Sequence, residues 1–213
     1  EQADYSDIIQ LMYVIDGVKY DTPEDFAVAL EKVLNVDTFL RYMAVVNTLA
    51  NWDSYPYTGN NYYLFYNNGT GRFEWIPWDL TWGDDVNHAL FTRGESDMVG
   101  RAPLFDRVFE VERYRVRYAG YLDLLTRYWF TEENIASLAY EYHSMIAPLV
   151  TQGSGDKMYY GNTAMFPAES FDDSWKRYPE FARQRREIII ETLASGTWRT
   201  PALTQTQPSG GGE

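Results

Sequence analysis

NWDSYPYTGNNYYLFYNNGTGRFEWIPWDLTWGDD, residues 51–85, is the stretch on which our interpretation of this chain depends. Two aromatic and β-branched runs, at 62–66 and 73–77, flank the turn sequence NNGTG at 67–71, and this pattern predicts a β-hairpin. The two outer ends of a hairpin lie side by side. We therefore expect the polar residues just before the first run to lie near those just after the second.

Four polar side chains occupy those ends: Asp53, Asn60, Asn61 and Asp79, the last followed by Gly83. Carboxylate and amide oxygens suit hard cations such as Mg²⁺, Ca²⁺ or Mn²⁺. Their order compares with the protein-kinase pattern of Asp, four residues and Asn, then a strand pair, then Asp-x-Gly. Asp and Asn are also common in turns for local hydrogen-bonding reasons, so the spacing alone leaves both interpretations open.

The amino-acid composition and net charge argue against several classes of function. With 213 residues and 45% hydrophobic content, the chain can bury one substantial core. A net charge of −13 argues against a nucleic-acid-binding face, and the absence of cysteine excludes a thiolate metal site. No apolar run is long enough for a membrane-spanning helix. The aromatic content of 17% either fills the core or lines a surface that binds flat or sugar-like groups.

The two ends of the chain resemble cuts through a longer protein. The first residues, EQADYSD, lack the basic start and apolar centre of a signal peptide, and the last, QPSGGGE, have the composition of a flexible linker. We expect one domain over residues 1–196 and a linker or disordered tail over 197–213.

Helical patterns surround the hairpin, so the expected fold class is α+β and mainly α-helical. We expect loops at 84–100, where the chain would cover the site, and at 153–162. The predicted helices span 5–16, 23–34, 36–50, two segments within 103–129, 133–150, and 172–194 with an interruption before Pro179 and a stop at Gly196.

Residues 35–83 closely resemble the spore coat protein H (CotH) kinase family, and the resemblance extends more loosely over 5–195. It rests on the Asn-x-Asp loop at 51–53, the NYYLFY strand at 61–66, and the IPWD segment at 76–79 that ends in glycine. The resemblance implies an atypical protein-kinase-like C-terminal lobe whose central hairpin carries the active-site loops. It also implies a secreted, cell-surface or spore-coat location.

The activity implied by the resemblance is transfer of phosphate from ATP to Ser or Thr of a surface or spore-coat protein, with Mg²⁺ or Mn²⁺. By position, Asp53 corresponds to the catalytic base, Asn61 to the amide that binds the metal and nucleotide, and Asp79 to the principal metal-binding acid. Asn60 stands where the family often has His and is the second choice for the amide.

The chain departs from the family pattern in two respects. Thr81 stands where many members carry a second acid, a place that Asp84 or Asp85 would have to take. The family's nucleotide lobe, with its phosphate-contacting lysine, would lie before residue 1, and the early lysines Lys19 and Lys32 sit on predicted helices or turns. We therefore expect neighbouring domains in a longer chain, and an isolated fragment that binds ATP poorly and is inactive.

Other conspicuous residues have simpler interpretations. We expect His143 to be structural on an aromatic helix face, whereas His88 is a loop residue near the site. Pro77 and Trp78 would shape the end of the hairpin, with packing in the core as the alternative interpretation.

The basic cluster on the last helix is interpreted as solvent-exposed. We expect its three arginines to form ion pairs with neighbouring acids on the same helix. The cluster comprises Arg183, Arg185 and Arg186, with Glu180 and Glu187 as the acids.

Two rival functions remain open. One is a non-catalytic module, a pseudokinase or a surface that binds carbohydrate or protein through exposed Tyr and Trp side chains. The other is a structural domain stabilised by calcium.

Overall fold

The computed structural model describes residues 4–81, 83, 85–92, 102–151, 157–160, 163–167, 171 and 173–201. The chain divides into two compact units, one formed by 1–123 with 189–213 and the other by 124–188. Helices predominate, with two small antiparallel sheets, in agreement with an α+β class. In the described part of the chain, every helix is too short or too polar to span a lipid bilayer.

The first unit begins with three helices: α1 (Ser6–Met12), which continues into a π-helical turn (Tyr13–Gly17), α2 (Pro23–Leu30) and α3 (Val36–Thr48). Thr22 caps α2 as predicted, because its Oγ1 accepts a hydrogen bond from the backbone N–H of Asp25 at 3.1 Å. The helix ends at Leu30, earlier than the predicted residue 34. The backbone at 33–35 pairs instead with Phe73, through Asn35 N–H and Phe73 N–H bonds of 2.8 Å each.

The predicted hairpin is confirmed. A short helix, α4 (Tyr55–Thr58), leads into β1 (Tyr62–Asn67), which pairs antiparallel with β2 (Arg72–Pro77). The register sets Tyr62 opposite Pro77 and Asn67 opposite Arg72, so the polar loops before β1 and after β2 start from adjacent strand ends. The inner face of the hairpin carries Trp75, which is buried.

The helical pair predicted after residue 103 is also present, as α5 (Pro103–Glu110) and α6 (Glu112–Leu124), with a π-helical turn at Leu125–Trp129. Asn47 on α3 connects these helices to the hairpin region. Its amide donates to Tyr118 Oη at 2.8 Å and to Leu90 O at 3.0 Å, and it accepts from Tyr57 Oη at 3.1 Å. This fully buried asparagine therefore joins α3, α4, α6 and the segment at 85–92 in one hydrogen-bonded network.

The second unit contains α7 (Glu132–Thr151) and a hairpin of β3 (Lys157–Tyr160) and β4 (Thr163–Pro167). The prediction of a loop over 153–162 is therefore wrong at 157–160, where four residues pair as a strand. A turn at 175–176 separates the helical residues 173–174 from the last helix, α8 (Arg177–Ser195), in agreement with the predicted interruption before Pro179. Pro179 lies in the first turn of α8, where a proline leaves no helical hydrogen bond unmade. Gly196 ends α8 with φ 68°, as predicted.

The folded part extends into the predicted linker. Residues Thr197–Arg199 form a 3₁₀ turn, and the Trp198 ring is buried in a stack with Phe91, with the ring centroids 5.5 Å apart. Residues 202–213 lie outside the described part of the chain, as do 84 and 93–100 of the predicted covering loop.

The basic cluster on α8 requires a correction. Arg183 is exposed and pairs with Glu180 at 2.6 Å and Glu187 at 3.0 Å, as predicted. Arg185, however, is fully buried, because it shares the buried helix stripe of Ala182 and Ile189 at spacings of three and four residues. The third arginine of the cluster donates to a backbone carbonyl at 2.7 Å, not to an acid: Arg186 Nε bonds Thr126 O.

Candidate functional site

The site begins where α3 ends. Ala50 has φ 55°, in the left-handed region that favours glycine, and it turns the chain out of the helix. The N–H of Asn51 donates to Val46 O at 2.8 Å, and its carbonyl accepts from Ser54 Oγ at 2.9 Å. The loop that carries Asp53 is therefore fixed on both sides by backbone hydrogen bonds.

The carboxylate of Asp53 is surrounded by short polar side chains. Its Oδ1 accepts from Thr58 Oγ1 at 2.8 Å and from Asn60 Nδ2 at 3.2 Å. Its Oδ2 accepts from Asn61 Nδ2 at 2.9 Å, and the same amide donates to the Asp53 backbone carbonyl at 2.6 Å. The structure thus brings together three of the four predicted site residues and adds Thr58 to them.

The fourth residue, Asp79, follows the other strand of the hairpin. The N–H of Trp78 donates to Asn61 O at 3.3 Å, which joins the two strand ends one residue before Asp79. Asp79 has φ 45° and is exposed, and its Oδ1 accepts from Thr81 Oγ1 at 2.6 Å. Thr81, the departure from the family pattern, therefore orients the carboxylate of Asp79.

The segment after Asp79 packs tightly on the end of α3. A Cβ built on Gly83 would lie 2.1 Å from Leu49 O and 2.9 Å from the carbonyl carbon of Ala50. Only glycine allows two backbone segments to approach so closely. Gly83 thereby holds the end of the 79–83 segment against the residues that precede Asn51.

Buried and partly buried aromatic rings pack together next to the residues of this site. Tyr62 stacks on Trp75 with ring centroids 4.2 Å apart, and Tyr55 packs edge-on against both rings. Tyr42 Oη accepts the backbone N–H of Tyr55 at 3.2 Å. Burial raises the pKa of Tyr42 to about 12, with a smaller contribution from the negative charge of Asp53. The hydroxyl therefore stays protonated at neutral pH.

The remaining sequence candidates lie at the edge of this cluster or away from it. Asp85 accepts from the backbone N–H of Asn87 at 2.9 Å, a local turn interaction, and Asp84 lies outside the described residues. His88 packs edge-on against Tyr57 at 4.4 Å. In the second unit, His143 stacks on Phe171 with its Nε2 3.0 Å from Phe171 O.

The alternative interpretation that Pro77 and Trp78 pack in the core is wrong, because both are exposed. The Trp78 indole is 56% accessible and meets Tyr63 edge-on, with ring centroids 5.2 Å apart. Strand alternation accounts for Trp78, which follows Ile76 by two residues on the outer face that Tyr63 and Phe65 share, opposite the buried face of Trp75. Pro77 is the last residue of β2 and is exposed at the end of the strand.

Two side chains of this site carry oxygen atoms of the type that hard divalent cations prefer. The Nδ2 of Asn61 is committed to Asp53, so its Oδ1 is the atom with which it can bind a metal, and Asp79 retains one carboxylate oxygen beyond the Thr81 contact. Among the described residues, no group of three His, Cys, Asp or Glu side chains could hold a metal ion. A metal here therefore depends on the amide and on ligands from outside the protein, which suits Mg²⁺ and Mn²⁺.

The hydroxyls of Thr58 and Thr81 were not identified from the sequence. Both lie within five residues of the carboxylates that they contact, so proximity along the chain was a usable signal. Their partners become evident only from geometry, because Thr side chains in turns bond many local groups.

The chain is similar to known proteins of one family. The chain is 28% identical over 127 residues to "Inner spore coat protein H" of Bacillus subtilis (strain 168), an alignment that covers 59% of this chain and 34% of that protein. The chain thus spans about a third of the length of the curated relative that it matches. A model of the family described as "CotH kinase protein" matches residues 1–189, which include the whole candidate site. The chain belongs to the CotH kinase protein family.

Proposed function

We propose that this chain carries part of a kinase site that transfers phosphate from ATP to a Ser or Thr hydroxyl of a protein. The part that it carries consists of the catalytic base and the metal ligands. The observation that carries the proposal is the direct 2.9 Å hydrogen bond between the Asp53 carboxylate and the Asn61 amide, whose backbone is bonded to Trp78 beside Asp79. Family membership supports the reaction class. The name of the Bacillus relative supports a spore-coat location.

Asp53 is suited to the role of base. Three donors hold its carboxylate in one orientation, so no reorganisation is needed when an acceptor hydroxyl arrives. The acceptor proton passes to Asp53 as the acceptor oxygen bonds the γ-phosphorus. The bond between that phosphorus and the bridging oxygen breaks, and ADP leaves with the electron pair.

Asp79 and the Oδ1 of Asn61 would hold Mg²⁺ or Mn²⁺. When bound, the cation supplies positive charge that neutralises the ATP phosphates. Within the protein, Asn61 would link the two functions, because its Nδ2 orients Asp53 and its Oδ1 would be a ligand of the cation. Asn60, which contacts only Asp53, is better suited to orienting the base.

We expect the contacts that bind the nucleotide to come from other parts of the whole protein. Lys19 and Lys32 are both exposed, and both lie in the connections that follow the early helices. Such a division agrees with a kinase-like C-terminal lobe that works together with a nucleotide-binding lobe. It also means that activity should be sought in the longest natural form of the protein.

A second candidate function rests on the outer face of the hairpin. Tyr63, Phe65, Ile76 and Trp78 expose between 41% and 58% of their surfaces, an aromatic patch of the kind that binds other proteins or sugars. In a non-catalytic module of this type, the acidic site would be dispensable and the aromatic patch would carry binding.

The test is transfer of radiolabelled phosphate from ATP by the longest natural form, with Mg²⁺ or Mn²⁺ supplied. Asp53→Asn and Asp79→Asn should each reduce transfer by at least about a hundredfold, since each removes a group that acts in the transition state. Asp85→Asn is the matched control and should retain transfer, because Asp85 makes only a local turn bond. Undiminished transfer by either of the first two variants would refute the corresponding role, and absence of transfer by the wild type would favour the binding module.

A further inference from the structure

Two buried asparagines, four residues apart, are in opposite hydrogen-bonding states. Asn47 is fully buried, and its amide makes all three side-chain bonds described above. Asn51 is also 0% exposed, yet neither its Nδ2 nor its Oδ1 has a hydrogen-bond partner among the described residues. A buried amide without partners destabilises the folded state, and native proteins rarely retain one without a reason.

The backbone keeps this side chain where it is. The N–H and C=O of Asn51 are both bonded, to Val46 and Ser54, so the backbone of the residue is fixed, and its side chain is 0% exposed. The preceding residue, Ala50, has a left-handed backbone that costs about 1 kcal/mol for a residue with a Cβ. An unpaired amide therefore follows a strained turn, and both lie two or three residues before the proposed base, Asp53.

The other side of this turn contacts the metal-binding segment. Gly83, which ends the 79–83 segment, lies against the backbone of Leu49 and Ala50, immediately before Asn51. Gly83 lies four residues after Asp79, and its backbone is the group on that side of the turn whose contacts next to Asn51 the structure describes. A small shift of Gly83 would bring its backbone N–H or C=O to Asn51 without any change in α3.

We propose that Asn51 is a positioning residue whose amide bonds the backbone of Gly83 when the metal and ATP bind, and so fixes Asp79, four residues earlier in the chain, in its working position. The inference rests on the proposed kinase function and adds a residue to it. In the ligand-free protein the amide remains unpaired and lowers stability. In the ligand-bound protein the same amide is paired and contributes to holding the metal.

The test compares Asn51→Leu with Asn47→Leu in the longest natural form. Leu approximates the shape of Asn without its polar atoms, so Asn51→Leu should not lower the melting temperature of the ligand-free protein. Asn47→Leu should lower it by several degrees, because Tyr57, Tyr118 and the Leu90 carbonyl lose their partner. With MnCl₂ and ATP added, the rise in melting temperature seen for the wild type should be lost in Asn51→Leu. Its kcat for phosphate transfer should fall by about ten- to a hundredfold.

Each outcome has one meaning. A lower melting temperature of ligand-free Asn51→Leu would show that the amide has a structural partner such as a buried water, and would overturn the inference. An unchanged ligand-induced shift and full transfer by Asn51→Leu would also overturn it, while leaving the proposed function intact. A wild type that neither shifts with MnCl₂ and ATP nor transfers phosphate would refute the proposed function itself, and this inference with it.

Discussion

Gly83→Ala tests whether the close approach of two backbone segments positions the site. The added Cβ would lie 2.1 Å from Leu49 O and 2.9 Å from the C and O atoms of Ala50. All three are backbone atoms, so no side chain can rotate to make room. The segments must separate by about 1 Å before the closest contact reaches the shortest distance that Cβ atoms tolerate, 3.0 Å. Asp79, four residues away on the same segment, would move with it.

Gly83→Ala should have two separate effects, one on the stability of the fold and one on the rate of phosphate transfer. Overpacking of this kind typically destabilises a protein by about 1–3 kcal/mol, which corresponds to a fall of several degrees in melting temperature for a chain of this size. A misplacement of about 1 Å at a catalytic group can reduce the rate by about a hundredfold, or about 2.7 kcal/mol of transition-state stabilisation. At a temperature where the variant remains folded, its rate of phosphate transfer should therefore fall by more than the loss of folded protein can explain.

Gly120→Ala is the matched control. Gly120 is exposed on α6, and an added Cβ there would meet nothing within 4 Å, so the substitution should raise stability by up to about 1 kcal/mol and leave transfer unchanged. Thermal melts and initial rates of phosphate transfer are measured on both variants. Wild-type transfer by Gly83→Ala would refute the argument that this contact positions Asp79.

Two further predictions concern the Asn61 amide and an ion pair. Asn61→Gly and Asn61→Ala should each reduce phosphate transfer by at least about tenfold. Because residue 61 has a left-handed φ of 63°, urea denaturation should find the Ala variant about 1 kcal/mol less stable than the Gly variant. Full transfer by the Gly variant would show that the reaction depends on the backbone at residue 61 and not on the amide. Burial opposes ionisation of Glu31, but hydrogen bonds from Arg113 and Tyr114 outweigh it and lower the pKa of Glu31 below 4.5. Glu31→Gln should therefore lower stability at neutral pH by less than about 1 kcal/mol, and the difference from wild type should vanish as the pH falls through that lowered pKa, whereas a pH-independent difference would contradict the ion-pair explanation.

The hairpin was predictable because its determinants are local. Alternating apolar positions, the turn residues at 67–71 and the strand lengths specify both the pairing and the face that is buried. Once the hairpin exists, its geometry dictates that Asn61 and Trp78 become neighbours, although 17 positions separate them in the chain. The candidate site could thus be assembled from sequence order alone.

Features that depend on tertiary packing were not predictable. Arg185 has a charged side chain next to polar residues in the sequence, and only its place on the Ala182 and Ile189 stripe shows that it is buried. The end of α2 is similar, since helical propensity continues past Leu30 and loses to pairing of the 33–35 backbone with β2. In both cases a long-range contact overrides a local preference.

Backbone strain at three residues shapes the candidate site, in addition to the helix and the hairpin that meet there. Within the described residues, three non-glycine residues have positive φ, namely Ala50, Asn61 and Asp79, and all three lie in this site. Asn and Asp tolerate the left-handed conformation, but Ala50 gains nothing from its side chain there. Such strain persists only where surrounding contacts enforce it, and here the bonds of Asn51, Asn61 and Thr81 do so. A left-handed residue at each turn redirects the chain, so that the loop after the helix, which carries Asp53, and the strand end one residue before Asp79 both bond Asn61.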